Sequence, residues 1–216
     1  MKALLSVFRK EGIVELAKTL TKADIELVST GGTLTEIASA GIEVTQVSEL
    51  TEFPELLDGR VKTLHPKVHA GILARRDSPE HMAELAGLAI ESIDVVVVNL
   101  YPFEDKLQDA SATLSDMLEN IDIGGPTLLR AAAKNFPSVV VLVDPQDYGW
   151  VVEHFAEGTL TQEQRRVLAA KAFQHVALYD TLIANWLFGP GSDGFRNEIT
   201  FAFRKSSDLR YGENPH

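Results

Sequence analysis

Two stretches, IDVVVVNL (Ile93–Leu100) and SVVVLV (Ser138–Val143), are apolar at almost every position. A strand of that kind has no wet face, which suits a parallel sheet covered on both sides. Shorter apolar runs at ALLSVF (Ala3–Phe8), IELVS (Ile25–Ser29) and EVTQV (Glu43–Val47) read as further strands. Between them lie helical patterns. EGIVELAKTLTKA places Ile13, Leu16, Ala17 and Leu20 on one face. LTEIASA is read as a helix capped by Thr33 and ended by Gly41. SPEHMAELAGLA, TLSDMLENI, PTLLRAAAKN, DPQDYGWVVEHFAEG and the long TQEQRRVLAAKAFQHVALYDTLIANWLFG follow. Thr51–Arg76 lacks clean periodicity and reads as loop with short helix. Strand alternating with helix predicts an α/β fold with a doubly wound, mostly parallel sheet, which binds ligands at the carboxyl ends of its strands.

Charge adds a second constraint. The 216-residue chain carries 31 Asp and Glu against 20 Lys and Arg, a net charge of −11, which argues against a general nucleic-acid binder. Yet GRVKTLHPKVHAGILARR (Gly59–Arg76) holds five basic residues, two histidines and no acid. A local basic patch on an acidic protein points to a small anion. The chain has no cysteine, hence no disulfide or thiolate chemistry. The start of the chain lacks a signal-peptide pattern and no stretch reaches the ~20 apolar residues of a membrane span, so a soluble, cytoplasmic protein is expected.

Four motifs stand where such a fold binds ligands. STGGT (Ser29–Thr33) joins a strand to a helix; its glycines let backbone N–H groups approach an anion, although a plain turn would look the same. The basic stretch is either a solvated face or a ligand loop shaped by Gly59, Pro66 and Gly71. His65 and His69 are four apart, but Pro66 disfavours an ordinary helix there and no metal is expected. Asn99 and Tyr101 in NLYPF leave the strongest strand at its carboxyl end, and Asp122 precedes the glycine pair in DIGG, with Lys134 further on. Taken singly, Asp122 reads as a helix cap and Lys134 as a C-terminal helix charge.

Together, ALLSV, STGGT, DGRVKTLHPKVHAGILAR, VVVNLYPF, ENIDIGGPTLLRAAAKN and LRYGENPH resemble, in order, the first part of the bifunctional purine-biosynthesis enzymes that join IMP cyclohydrolase to AICAR transformylase. The resemblance implies a methylglyoxal-synthase-like fold with a C-terminal helical extension. It implies ring closure of formyl-AICAR to IMP with loss of water. In it, Lys62, Tyr101, Asp122 and Lys134 form the catalytic set. Lys62 would act electrostatically with Tyr101 behind it, and Asp122 with Lys134 would handle protons. Lys10, Thr30, Gly31, Gly32, Thr33, Arg60, Thr63, Asn99, Ile123 and Gly124 would hold substrate, the STGGT residues taking the 5′-phosphate. One departure is visible: the family usually reads SVSDKTG where this chain has SVFRKEG, so Phe8 and Arg9 replace Ser and Asp while Lys10 stays.

By the same resemblance residues 1–197 would be the cyclohydrolase domain and 198–216 the start of a transformylase domain, with Arg210 and Tyr211 a vacant half-site. The cyclohydrolase step needs no cofactor; 10-formyltetrahydrofolate belongs to the transformylase alone. The implied partner is the nucleotide formyl-AICAR or IMP, with no nucleic acid and no membrane, and a homodimer is compatible with it. Two other readings remain open: a methylglyoxal synthase-type lyase, and a nucleotide-sensing module without turnover.

Overall fold

The computed structural model describes residues 1–189 and 197–208. Five strands, β1 (Lys2–Val7), β2 (Glu26–Ser29), β3 (Thr45–Gln46), β4 (Val95–Asn99) and β5 (Val140–Leu142), form one sheet in the order β3-β2-β1-β4-β5, every neighbour pair parallel. The valine runs form β4 and β5, and all their residues are buried. In register, Ala3 faces Val95 and Val7 faces Asn99, so β1 and β4 end level.

Ten α-helices connect and cover the strands among the described residues: α1 (Ile13–Lys22), α2 (Gly31–Ser39), α3 (Val47–Thr51), α4 (Pro66–Leu73), α5 (Pro79–Gly87), α6 (Phe103–Leu107), α7 (Leu114–Glu119), α8 (Gly124–Lys134), α9 (Tyr148–Ala156) and α10 (Gln162–Phe188). The four periodic positions of α1 are its four buried residues. It packs on β2, α2 and α9, while α8 packs on β4, β5, α4 and α10. The helical extension is integral to the core: α10 buries Leu168, Ala169, Ala172, Val176, Tyr179 and Ile183. No described helix is long and apolar enough to cross a membrane.

Several expectations are corrected. The second helix starts at Gly31, so Thr33 lies inside it and caps nothing. The third strand shrinks to two residues at the sheet edge. Pro66 begins a helix instead of preventing one. At the first helical position its missing N–H is no loss, and His65 Nδ1 accepts the Lys67 N–H as the cap. The glycine of that helix, Gly71, is needed because a Cβ there would stand 2.6 Å from the Glu91 carbonyl. A short helix, α6, follows NLYPF where none was expected. Residues 197–208 form no strand despite their alternation; Phe201 and Phe203 stack on each other at 6.5 Å, both exposed, and Arg204 pairs with Glu104 at 3.0 Å. Arg210 and Tyr211 lie outside the described residues.

Candidate active site

From β1 the chain winds outward through β2 to β3, then crosses to β4 and winds the other way to β5. The crevice beyond the ends of β1 and β4 is therefore the topological switch point, where connecting loops diverge. Asn99, the last residue of β4, shapes it. Its side-chain oxygen accepts the N–H groups of Phe8 (2.7 Å) and Arg9 (2.9 Å), and its amide donates to the Arg9 carbonyl (3.0 Å). Asn99 thus fixes the exit of β1, and its polar atoms are engaged by backbone instead of standing free for substrate. Phe8 lays its ring edge-on against Tyr101 at 5.2 Å. Arg9 turns away to Asp105 at 3.4 Å.

Beside this exit stands the start of α2. Thr30 precedes it without a side-chain cap, and Gly31 has φ +54°, a conformation that glycine adopts at little cost. The first N–H groups of the helix have no intrahelical acceptor. The threonine hydroxyls are already used. Thr33 accepts the Val7 N–H at 3.0 Å and donates to the Val7 carbonyl at 2.8 Å; Thr30 donates to Glu55 at 2.9 Å. Lys10 donates to the Val7 carbonyl and, at 3.0 Å, to Thr33 Oγ1, with Gly32 alongside. Burial holds Lys10 below the ordinary lysine range, Glu36 opposing this and Lys62 adding to it.

The basic stretch is largely neutralised by acids from elsewhere. Arg60 pairs with Glu119, Lys67 with Glu52 and Arg75 with Asp77. Arg76 is half-buried and donates to the carbonyls of Gly71 and Ile93, both at 2.9 Å, a structural clasp. Among the described residues Lys62 is the one cation of the five with no ion-pair partner. Its ammonium lies 3.4 Å from where a Gly31 Cβ would be, over the start of α2. The Arg60 pair is exposed on both sides and worth under about 1 kcal/mol, so an arriving anion can recruit that guanidinium. His65 is used as a cap, while His69 has a buried Nε2 without a partner and is pushed down by burial.

The third wall is the loop before α8. Asp122 Oδ1 accepts the Gly125 N–H at 2.9 Å, as a cap should. Thr63 Oγ1 would stand 2.8 Å from a Cβ on Gly124, so glycine there lets that buried hydroxyl reach the backbone. Ile123 is exposed next to them. Burial raises the Asp122 carboxyl above its ordinary range, against the pull of the Gly125 N–H and the Lys62 charge. Burial also raises the Tyr101 phenol, and the Asp122 charge adds to it. Asp122 therefore feels the charge of Lys62, and its own charge reaches Tyr101. Lys134 does not join them. It ends α8, about 15 Å along the axis from Gly124, in an apolar groove with His69, Arg130, Phe136 and Phe173. The expected proton-handling pair of Asp122 and Lys134 is separated within one chain by the length of that helix. A cavity of about 830 Å³ between α6, α10 and residues 201–205 is lined by Tyr101 but by neither Lys62 nor Asp122.

The raised Asp122 carboxyl makes a stability prediction. Its folded pKa lies above the unfolded value, so the ionised form disfavours folding, and the cost grows as pH rises through the folded pKa. Asp122→Asn keeps the oxygen for Gly125 and removes the charge. Its melting temperature relative to wild type is expected to rise between about pH 4 and about pH 7. A difference that stays flat or shrinks over that range would show that burial does not oppose the charge.

An all-parallel, doubly wound sheet with a helix start and an unpaired lysine at its switch point defines an MGS-like α/β domain. The family model of that name matches residues 12–127, and the chain belongs to the MGS-like domain family. Residues 132–216 match a second model, AICARFT/IMPCHase bienzyme. Similar relatives carry one name, bifunctional purine biosynthesis protein PurH. Those of Leuconostoc mesenteroides, Thermoanaerobacter sp. strain X514 and Listeria monocytogenes are 55%, 52% and 51% identical, each over 100% of this chain and 42% of the relative. The chain thus spans well under half the length of the curated relatives it matches. A solved structure, the crystal structure of ForH, is 38% identical, with a TM-score of 0.77 over 88% of this chain and 98% of that one.

Proposed function

We propose that the chain is an IMP cyclohydrolase, closing formyl-AICAR to IMP with loss of water, and that residues 1–197 carry the reaction. The observation that supports it best is the unpaired Lys62 ammonium over the start of α2, with its charge acting on the buried Asp122 carboxyl. The substrate holds both reacting groups, so the first task is to freeze one rotamer. The free N–H groups at Gly31, Gly32 and Thr33, with Lys10, offer the 5′-phosphate an anchor, and Arg60, held only by an exposed ion pair, can be recruited to it. Ring closure then joins the carboxamide nitrogen to the formyl carbon. Negative charge develops on the formyl oxygen, where the unpaired Lys62 ammonium and the protonated Tyr101 phenol can answer it. Asp122, with a raised carboxyl, is suited to take the amide proton. The oxyanion takes the Tyr101 proton to become a hydroxyl, which leaves as water with the proton Asp122 took from the amide, while the former formamide nitrogen forms the ring C=N bond and releases its N–H proton to restore the phenol.

The similarity to PurH proteins, named for purine biosynthesis, points the same way. No step calls for a metal or an organic cofactor. Purified chain mixed with formyl-AICAR is expected to show the absorbance change of purine formation at the same rate with and without EDTA. Activity abolished by EDTA and restored by a divalent ion would overturn the metal-free mechanism. Release of inorganic phosphate from dihydroxyacetone phosphate, without cyclisation, would mark a lyase instead.

A further inference from the structure

Residues 120–123 lie between the end of α7 and the start of α8, with no helix of their own to hold them. A residue 57 positions further on does so. The phenol oxygen of Tyr179, on α10, accepts the Asp122 N–H at 2.7 Å and donates to the Asn120 carbonyl at 2.9 Å. One hydroxyl thus grips the backbone on both sides of Ile121. Tyr179 is 6% exposed, and its ring is fixed edge-on against Phe103 at 6.2 Å, two residues after Tyr101. Burial pushes the Tyr179 phenol up to about 12, so it keeps the proton it donates at neutral pH.

We infer that Tyr179 is a positioning residue for cyclisation, clamping the 120–122 loop so that the Asp122 carboxylate stays buried against Gly125 and facing Lys62. This rests on the role given to Asp122 above. It also gives α10 a part in the reaction. The MGS-like match ends at residue 127, so the clamp comes from the segment matching the AICARFT/IMPCHase model. Through Phe103 and Asp122, α10 touches both the start of α6, which follows β4, and the α7–α8 loop.

Tyr179→Phe keeps the ring, its volume and its contact with Phe103, and removes only the hydroxyl. Two readouts on the full 216-residue chain test the clamp: carbon NMR titration of the Asp122 carboxyl, and steady-state cyclisation of formyl-AICAR across pH. With the loop released, the carboxyl gains water. Its pKa is expected to fall toward the ordinary range, the acidic limb of the rate profile to follow it, and kcat to drop about tenfold or more with KM within about twofold. An unmoved Asp122 titration overturns the clamp even if the variant melts earlier, because losing two hydrogen bonds costs stability without moving a carboxyl. A moved titration with kcat within twofold overturns its part in the reaction. Asp122→Asn is assayed alongside. If that variant cyclises at the wild-type rate, the role of Asp122 fails and the catalytic part of the inference falls with it. The titration arm needs no turnover and reports on the clamp separately.

Discussion

Lys62→Ala is expected to cut cyclisation turnover about a hundredfold or more while changing the dissociation constant of IMP by less than about threefold. The asymmetry follows from what each cation is doing. Lys67, Arg75 and Arg76 are committed to carboxylates or carbonyls. Lys10 is bound to Val7 and Thr33 at the foot of α2, so with the helix N–H groups it remains to hold a phosphate in the variant. Lys62 is unpaired, lies over that helix start, and its charge reaches Asp122. Its charge matters most where new negative charge appears, on the formyl oxygen, and an interaction stronger in the transition state than in the ground state acts on turnover. The competing outcome has a structural motive too, because its ammonium lies over Gly31. A variant with unchanged kcat and strongly weakened IMP binding would make Lys62 a phosphate anchor. Lys62→Arg, which keeps the charge on a different donor geometry, is expected to recover only part of the rate.

What the sequence disclosed, and what it hid, divides along one physical line. Burial on both faces writes itself into composition, so β4 and β5 were readable as parallel strands, and the α1 face was readable from Ile13, Leu16, Ala17 and Leu20. Phenomena that depend on a partner distant in sequence were not. The run from Gly59 to Arg76 looked uniformly basic because its acids, Glu52, Asp77 and Glu119, lie outside it. Only their pairing singles out Lys62. Pro66 reads in sequence as unfavourable to a helix, although the same missing N–H makes it a helix starter when His65 supplies the cap. Rise per residue alone separates Lys134 from Asp122, since PTLLRAAAKN reads as helix. Tyr179 gave no signal, because within α10 it is one more buried position on an apolar face, and its phenol acts on a loop that periodicity does not connect to it.

Gly125→Ala is expected to damage stability and activity together. A Cβ at Gly125 would fall against Asp122 Oδ2 and stand 2.6 Å from Leu100 Cδ2, closer than real Cβ contacts come. Neither neighbour yields easily. Leu100 is 6% exposed and packed in the core, and Asp122 is held by the Gly125 N–H on one side and by Tyr179 on the other. Overpacking of this sort costs about 1–3 kcal/mol. The least costly relief is to shift the carboxylate from its place against the helix, so turnover should fall toward that of Asp122→Asn. Gly149→Ala provides the control. It too is a helical glycine near an N-terminus, but a Cβ there meets nothing within 4 Å. Removing its excess unfolded-state freedom should stabilise the protein by about 0.4–1 kcal/mol and leave cyclisation unchanged. Denaturant unfolding of both variants, with kcat measured on each, separates the two cases. If Gly125→Ala unfolds at the wild-type midpoint and keeps its rate, the approach of Asp122 to the start of α8 is looser than these distances state, and the carboxylate is not held against the helix as the mechanism requires.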